Sequence, residues 1–505
     1  MHRSKGEPVE GTITGSDFLQ LDIGAAPPGG RSAWLAARLR DAIADGRLPV
    51  GSRLPATRTL SAELGVSRGV VTEAYQRLVE EGHVAGRGRA GTVVVAVPVT
   101  APVPAPVRAT GTATGTATST ATSTVTGFDP GPDVFDRLRA APARIDLTPG
   151  LPDLAAFPRT AWLRAERAVL DNLSAPDLGY GDPRGAPAFR LAVVNWLARN
   201  RGIRAGPGDV VVVAGVAQAL GLLATVFTGH GITEVAVEDP GSLGVRQHLR
   251  NSGLTTPPVP VDDDGIRVTG LRSPAVLLTP AHQFPTGVVL AGGRRRELIR
   301  WAGDGGLIIE DDYDAEHRYD RAPVPALRSM LPERVCYAGS ISKLLAPALR
   351  IGWVLVPPRY QREVVDVKRH ADLGNAVLPQ LVLGHLMESG ELERHLRLLR
   401  RRHRRRRDAM IAALARHLPS ATVHGAAAGL HLTITFRPGL SDVELAAAAL
   451  ARGVKVQPLS WHRQLPGPPG LVLGYGATPP GEIADGIAVV AELAGPVAGG
   501  QGGPP

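Results

Sequence analysis

VCYAGSISKLLAPALRIGWVLV, residues 335–356, decides the fold of the longer part of the chain. Two short apolar runs, Val335–Ala338 and Trp353–Val356, flank a polar segment that carries Ser340, Lys343 and Arg350. The same grammar recurs at Val210–Val213, Val235–Val237, Ala275–Leu278 and Leu307–Ile309, with turn residues at the edges and helical stretches between. Continuous apolar runs of this length predict strands buried on both faces, hence an α/β domain of three layers around a mostly parallel sheet. Ligands of such sheets collect beyond the carboxyl ends of the strands, which makes the polar residues there the ones to read.

They form a set. EDDYD, residues 310–314, follows one run and GSISK, residues 339–343, follows another. AGVAQ, residues 214–218, opens an apolar helix, and TPAHQFPTG, residues 279–287, lies between. A lysine amine can hold an aldehyde as a Schiff base, and a carboxylate can keep a pyridine nitrogen protonated so that the ring draws electrons. Backbone amides at a helix start, joined by a hydroxyl and an arginine, suit a phosphate.

In this order the strings resemble the fold-type I aminotransferases over nearly all of residues 144–495, which implies a small C-terminal α+β subdomain beside the main sheet. The resemblance implies pyridoxal 5′-phosphate (PLP) on Lys343, the catalytic lysine. It places Asp311 at the ring nitrogen and Tyr313 at the phenolic oxygen, O3′. Val216, Ala217, Ser340 and Arg350 would hold the phosphate, and Tyr180 in YGDPRG would cross a dimer interface to the partner's phosphate. Phe284 stands where the enzymes carry an asparagine beside O3′, Ser242 where an aromatic is common, and LVLGYG (471–476) lacks the arginine that holds a substrate carboxylate.

Before this body the composition breaks. PVTAPVPAPVRATGTATGTATSTATSTVTG, residues 98–127, offers no packed face and reads as a flexible linker, taken to run over 98–143. Residues 32–45 place Trp34, Leu35, Leu39 and Ile43 on one helical face behind a Ser32 cap. A short helix over 57–64 buries Leu60 and Leu64, Gly65-Val66 makes a tight turn, and Ser67 caps a second helix to about Glu81 that buries Val70 or Val71, Ala74, Tyr75 and Leu78. HVAGRGRAGTVVV, residues 83–95, reads as two strands around a Gly/Arg loop.

GRLPVGSRLPATRTLSAELGVSRGVVTEAYQRLVEEG, residues 46–82, closely resembles the GntR family of winged helix-turn-helix regulators. That resemblance implies DNA reading by Arg58, Ser67, Arg68 and Thr72, with Arg87, Gly88 and Arg89 at the wing tip. Arginine offers a two-pronged fork to guanine or phosphate, and residues 31–97 carry ten arginines against six acids, the right sign for DNA. Joined to EDDYDAEHRYD, SISKLLAPALRIGW and TPAHQFPTG, this head makes the chain similar to the MocR/PdxR group.

Membership implies a homodimer on double-stranded operator DNA with paired half-sites. It also implies a PLP or amino-compound effector and control of vitamin B6 or amino-compound genes. A working aminotransferase that also binds DNA is the alternative. The division expected is an extension over 1–31, a head over 32–97, the linker, the body over 144–495 and a disordered tail over 496–505.

Charge and cysteine usage narrow the classes further. The net charge is +9, of which residues 391–417 hold +7, from ten arginines against Glu391, Glu393 and Asp408. Leucines at helical spacing make that stretch a long, partly solvated helix rather than a DNA contact. The single cysteine, Cys336, excludes internal disulfides and multi-cysteine zinc sites, so no metal is expected. The start lacks a signal-peptide run and no window spans a bilayer, so the protein is expected in the cytoplasm, off the membrane.

Overall fold

The computed structural model describes residues 19, 21–27, 30–45, 47–80, 83–86, 91–95, 130–317, 325–426 and 428–495. The chain divides into two units, Met1–Ser123 and Thr124–Pro505.

In the first unit, helix α1 covers Arg31–Ala44. Its N-cap is Gly30, without a side-chain cap, so Ser32 lies in the first turn and does not cap as expected. Leu35, Leu39 and Ile43 are fully buried, Trp34 packs at the margin, and Leu19 and Leu21 of the N-terminal extension reach the same core. Helices α2 (Thr57–Glu63) and α3 (Arg68–Glu80) follow, joined through Gly65 at φ +62°, a left-handed conformation that glycine adopts without strain. Of the two candidate valines, Val71 is buried, with Ala74, Tyr75 and Leu78. The Tyr75 hydroxyl donates to the Pro55 carbonyl at 2.8 Å and so ties α3 to the turn before α2. Strands β1 (Val84–Gly86) and β2 (Thr92–Val94) pair antiparallel, with Arg53 bridging to Val93 at the edge. The expected wing tip, Arg87, Gly88 and Arg89, lies outside the described residues, as does the tail over 496–505.

The second unit begins earlier than the expected linker boundary. Helix α4 (Val134–Ala140) and strand β3 (Ile145–Asp146) open it. Val134 is buried, the Phe135 ring meets Trp461 edge-on at 6.2 Å, and Gln247 Nε2 donates to the Gly131 carbonyl at 2.9 Å. These contacts make residues 130–143 part of the body; the rest of the expected linker, 98–129, lies outside the described residues. Helices α5 (Arg159–Asn172) and α6 (Pro187–Arg201) lead to strand β4 (Val210–Val213) and helix α7 (Val216–Gly229). Then come β5 (Ala236–Asp239), α8 (Leu243–Asn251), β6 (Pro258–Asp262), β7 (Gly265–Ile266), β8 (Ala275–Leu278), α9 (Gly292–Gly303), β9 (Leu307–Asp312), β10 (Val335–Ser340) and β11 (Gly352–Leu355).

Among the described residues the main sheet has eight strands in the order β4-β11-β10-β9-β8-β5-β6-β7. Pairing is parallel from β10 through β9, β8 and β5 to β6; β11 runs antiparallel to both neighbours, and β7 to β6. Period-two alternation splits the sheet's valines between two cores. Val210 and Val212 pack with Phe189 and Trp196 of α6, whereas Val211 and Val213 pack with Leu223 and Phe227 of α7. The sheet is therefore covered on both faces, as the continuous apolar runs require. Cys336 is fully buried on the α7 side, and burial pushes its thiol up to about 12.

Helices α10 (Pro358–Asp372), α11 (Val377–Glu388) and α12 (Glu391–His417) lead into the smaller subdomain. There β12 (Thr422–His424), β13 (His431–Thr435), β15 (Gln457–Pro458) and β16 (Gly470–Gly474) form an antiparallel sheet. Helices α13 (Asp442–Ala451) and α14 (Pro480–Ala494) pack with it, and β14 (Val454–Lys455) pairs with β3. Among the described residues no helix is long and apolar enough to cross a membrane.

Candidate functional site

The strand ends of the main sheet converge on one cavity of about 380 Å³. Lys343, Asp311, Tyr313, Val216, Ala217, Ser340, Arg350 and Phe284 all line it; Tyr180 does not. Strands β9 and β10 run further than their apolar cores, so Asp311 and Ser340 are ladder residues rather than loop residues. That placement fixes both side chains against a rigid frame.

Lys343 is partly buried just past β10, and its amine donates to the Gly150 carbonyl. Burial lowers its pKa, while Asp311 and Asp314 pull the other way. Asp311 is pushed up to about 7 by burial and then by Asp312, with Lys343 opposing. Its Oδ1 is buried with no hydrogen-bond partner. A buried acceptor left unpaired is costly, which marks a place where a donor from a ligand fits.

At the other end, Gly215 precedes α7 at φ +88°. A Cβ there would lie 3.3 Å from Arg350 Nη1, so glycine lets the guanidinium close on the helix start. Arg350 itself takes φ +51° and donates to the Ala214 carbonyl. Free amides, helix dipole and guanidinium together make an anion cup.

Behind Tyr313 is a group that the sequence reading left unassigned. His282 Nδ1 lies 3.0 Å from the Tyr313 hydroxyl and 2.8 Å from Asp314 Oδ2, with both His282 and Asp314 buried. The Phe284 ring meets Tyr313 edge-on at 6.2 Å. His282, Asp314 and His431 also bring ligand atoms within 4.8 Å of one another, a spacing compatible with a metal that the cysteine count could not foresee. The 2.8 Å hydrogen bond already accounts for the closest pair. Ser342, Gly150, Arg139 and His248 line the cavity as well and were not read from the sequence. GSISK and the TPG turn before Leu151 carried the signal for the first two; nothing in the pattern pointed to the others.

In the head, Arg58, Ser67, Arg68 and Thr72 are all exposed, and Arg68 Nε reaches Thr57 Oγ1 at 3.3 Å across the helix pair. The arginine run of α12 is not one solvated face. Arg406 is buried, donates to the Gly476 carbonyl and pairs with Asp153 at 2.9 Å, and Arg402 reaches the same carboxylate at 2.6 Å. Arg401, Arg404 and Arg405 are exposed.

These two sites define a transcriptional regulator with a DNA-reading head and an aminotransferase-fold body. Residues 32–94 match the bacterial regulatory proteins of the gntR family, and residues 145–466 match aminotransferase class I and II. The chain is 33% identical over 481 residues to the probable rhizopine catabolism regulatory protein MocR of Rhizobium meliloti, covering 93% of this chain and 94% of that one. It is 30% identical to the pyridoxine biosynthesis transcriptional regulator PdxR of Corynebacterium glutamicum, over 88% of this chain and 91% of that one. The body superposes on kynurenine aminotransferase of Pyrococcus horikoshii with a TM-score of 0.66 at 26% identity, over 72% of this chain and 93% of that one. The chain belongs to the MocR/PdxR-type regulators. GntR-type heads bind DNA, and class I and II aminotransferase folds generally bind PLP.

Proposed function

We propose that the body holds PLP on Lys343 and senses PLP itself or an amino compound, and that this state governs DNA binding by the head. The observation that carries the reading is the unpartnered Oδ1 of Asp311, in the same cavity as the Lys343 amine and the Gly215–Arg350 anion cup. A pyridinium N–H supplies the donor Asp311 lacks, and a phosphate fits the cup. Bound there, PLP supplies an aldehyde for amines and a ring that draws electrons. Lys343 holds the group, Asp311 keeps its ring nitrogen protonated, and Tyr313 faces its O3′ beside Phe284. Val216, Ala217, Ser340 and Arg350 hold the phosphate.

The partner chain's Tyr180 completes that phosphate site in a homodimer, which is consistent with a side chain 96% exposed in the single chain. Arg58, Ser67, Arg68 and Thr72, with the wing tip, read paired half-sites in the cytoplasm. The names of the relatives, rhizopine catabolism and pyridoxine biosynthesis, favour target genes of amino-compound or vitamin B6 metabolism. Purified protein should take up PLP, show the absorbance of a protein-bound Schiff base and lose that band in Lys343→Ala. Failure of the wild type to take up added PLP would overturn the reading.

A further inference from the structure

Of the acidic and basic side chains lining the cavity, the cofactor reading gives work to three. Asp311 serves the ring nitrogen, Lys343 the aldehyde and Arg350 the phosphate. Burial holds His431 and His462 neutral, with pKa values near 3. Among the described residues no carboxylate other than Asp311 lines the cavity. Once the cofactor's own charges are matched, the guanidinium of Arg139 is left over, and it selects an anion.

Arg139 sits on α4, the first helix of the body. That helix is fixed from four directions. Phe135 meets Trp461 edge-on, and a Cβ on Gly244 would touch the Phe135 ring at 3.7 Å. Gln247 donates to Gly131, and Lys455 Nζ approaches the Arg139 carbonyl at 3.4 Å. Arg139 is thus presented from an anchored element. Its partner in this structure is Asp136, three residues earlier, with both side chains at least 70% exposed. An exposed pair of this kind is weak, so a ligand carboxylate can displace it. Strand β16, which would carry the second arginine of a substrate clamp, has no basic residue.

We propose that Arg139 receives the carboxylate of the amino compound sensed by this body, so that the ligand class is amino acids rather than plain amines or diamines. A diamine would bring its second ammonium against the guanidinium, a repulsion that excludes it. The proposal rests on the cofactor reading and deepens it.

The test is calorimetric titration of the PLP-loaded protein with glycine, β-alanine, 4-aminobutanoate and 5-aminopentanoate, each against the alkylamine of equal length. At least one amino acid should bind about three- to tenfold tighter than its amine. Arg139→Gln should abolish that preference, Arg139→Lys should keep part of it, and Asp136→Asn should enlarge it. Cofactor absorbance and affinity for the plain amines should not change in any variant. A preference that survives Arg139→Gln, or a wild type that takes up PLP yet never favours an amino acid, overturns the assignment. A wild type that takes up no PLP overturns the cofactor reading instead.

Discussion

His282 Nδ1 lies 2.8 Å from Asp314 Oδ2 in the interior of the body, and the same nitrogen is 3.0 Å from the Tyr313 hydroxyl. Burial pushes Asp314 up, but the charge and hydrogen bond of His282 bring it below the ordinary aspartate value. A folded-state pKa below the unfolded one contributes stability above the unfolded value, lost as pH falls through the folded one. His282→Ala leaves Asp314 buried without its partner, which costs about 3–5 kcal/mol at neutral pH. Thermal melts should show a large deficit at pH 7 that shrinks as pH falls, first as the unpartnered Asp314 of the variant takes a proton and then as pH passes the depressed value of the wild type. An equal deficit at both pH values would show that the cost is packing alone.

Glu310, Asp311 and Asp312 are adjacent acids with separate tasks. Strand alternation turns Asp311 to the cavity and its two neighbours to the other face of β9. There Asp312 Oδ2 meets Arg201 Nε and the Tyr337 hydroxyl, each at 2.5 Å, and Glu310 accepts the amides of Leu327 and Arg328 at 2.9 and 3.0 Å. Asp312→Asn should therefore cost about 3–5 kcal/mol of stability, because it removes the carboxylate charge that faces the Arg201 guanidinium in the interior. Asp311→Asn should weaken PLP binding and leave melting of the cofactor-free protein unchanged or raised at pH 8. The reverse pattern would exchange the two roles.

The sequence alone carried much of this division. GSISK and EDDYD mark strand ends because the apolar runs before them are continuous, and the resemblance selects Asp311 from three acids. What it could not carry depends on distance in space. Arg201 and Asp312 are 111 residues apart, and nothing local in α6 announces a buried arginine. Arg406 is hidden for the same reason: its partners, Asp153 and the Gly476 carbonyl, are far away in the sequence, while Arg401, Arg404 and Arg405 beside it are exposed. Helix α4 escaped because its composition adjoins the linker's, and its place is set by Trp461 and Gln247, more than a hundred residues away.

Cofactor affinity should depend on pH with a defined sign. In the cofactor-free protein Asp311 titrates near 7, raised by burial and by Asp312. Below that pH the carboxyl already holds the proton that it shares with the ring nitrogen in the complex. Where the free cofactor's ring nitrogen has also lost its proton, binding must take one from solvent, so affinity there falls by up to about tenfold per pH unit. Measurement in Lys343→Ala removes the titration of the amine. The dissociation constant should rise toward pH 9, and the rise should vanish when Asp311→Asn is added.

For DNA, Arg68→Ala should weaken binding to the specific site by about 1–3 kcal/mol. Neutralising Arg401, Arg404 and Arg405 together should change it much less, and Arg406 must be spared because it is a buried partner of Asp153. Fluorescence anisotropy on operator DNA at fixed salt compares the two variants. Equal losses would move the DNA contact to α12.

Tyr180 tests whether the cofactor site is shared between protomers. It does not line the cavity of its own chain and is 96% exposed, beside Leu178 at 65%. If its hydroxyl serves the partner's phosphate, Tyr180→Phe removes one charge-assisted hydrogen bond, worth about 1.5–3 kcal/mol, and PLP affinity falls tenfold or more. Mixing then separates the alternatives. A dimer of one Tyr180→Phe chain and one Lys343→Ala chain contains one site with an intact lysine. Under the shared arrangement that site also receives an intact tyrosine, from the Lys343→Ala chain, so half of the sites bind PLP with wild-type affinity. If the tyrosine acts within its own chain, the same site pairs its lysine with phenylalanine, and no wild-type affinity returns. Spectroscopic titration of tagged, purified heterodimers reads this directly. A titration with only the weak affinity of Tyr180→Phe would remove Tyr180 from the partner's site.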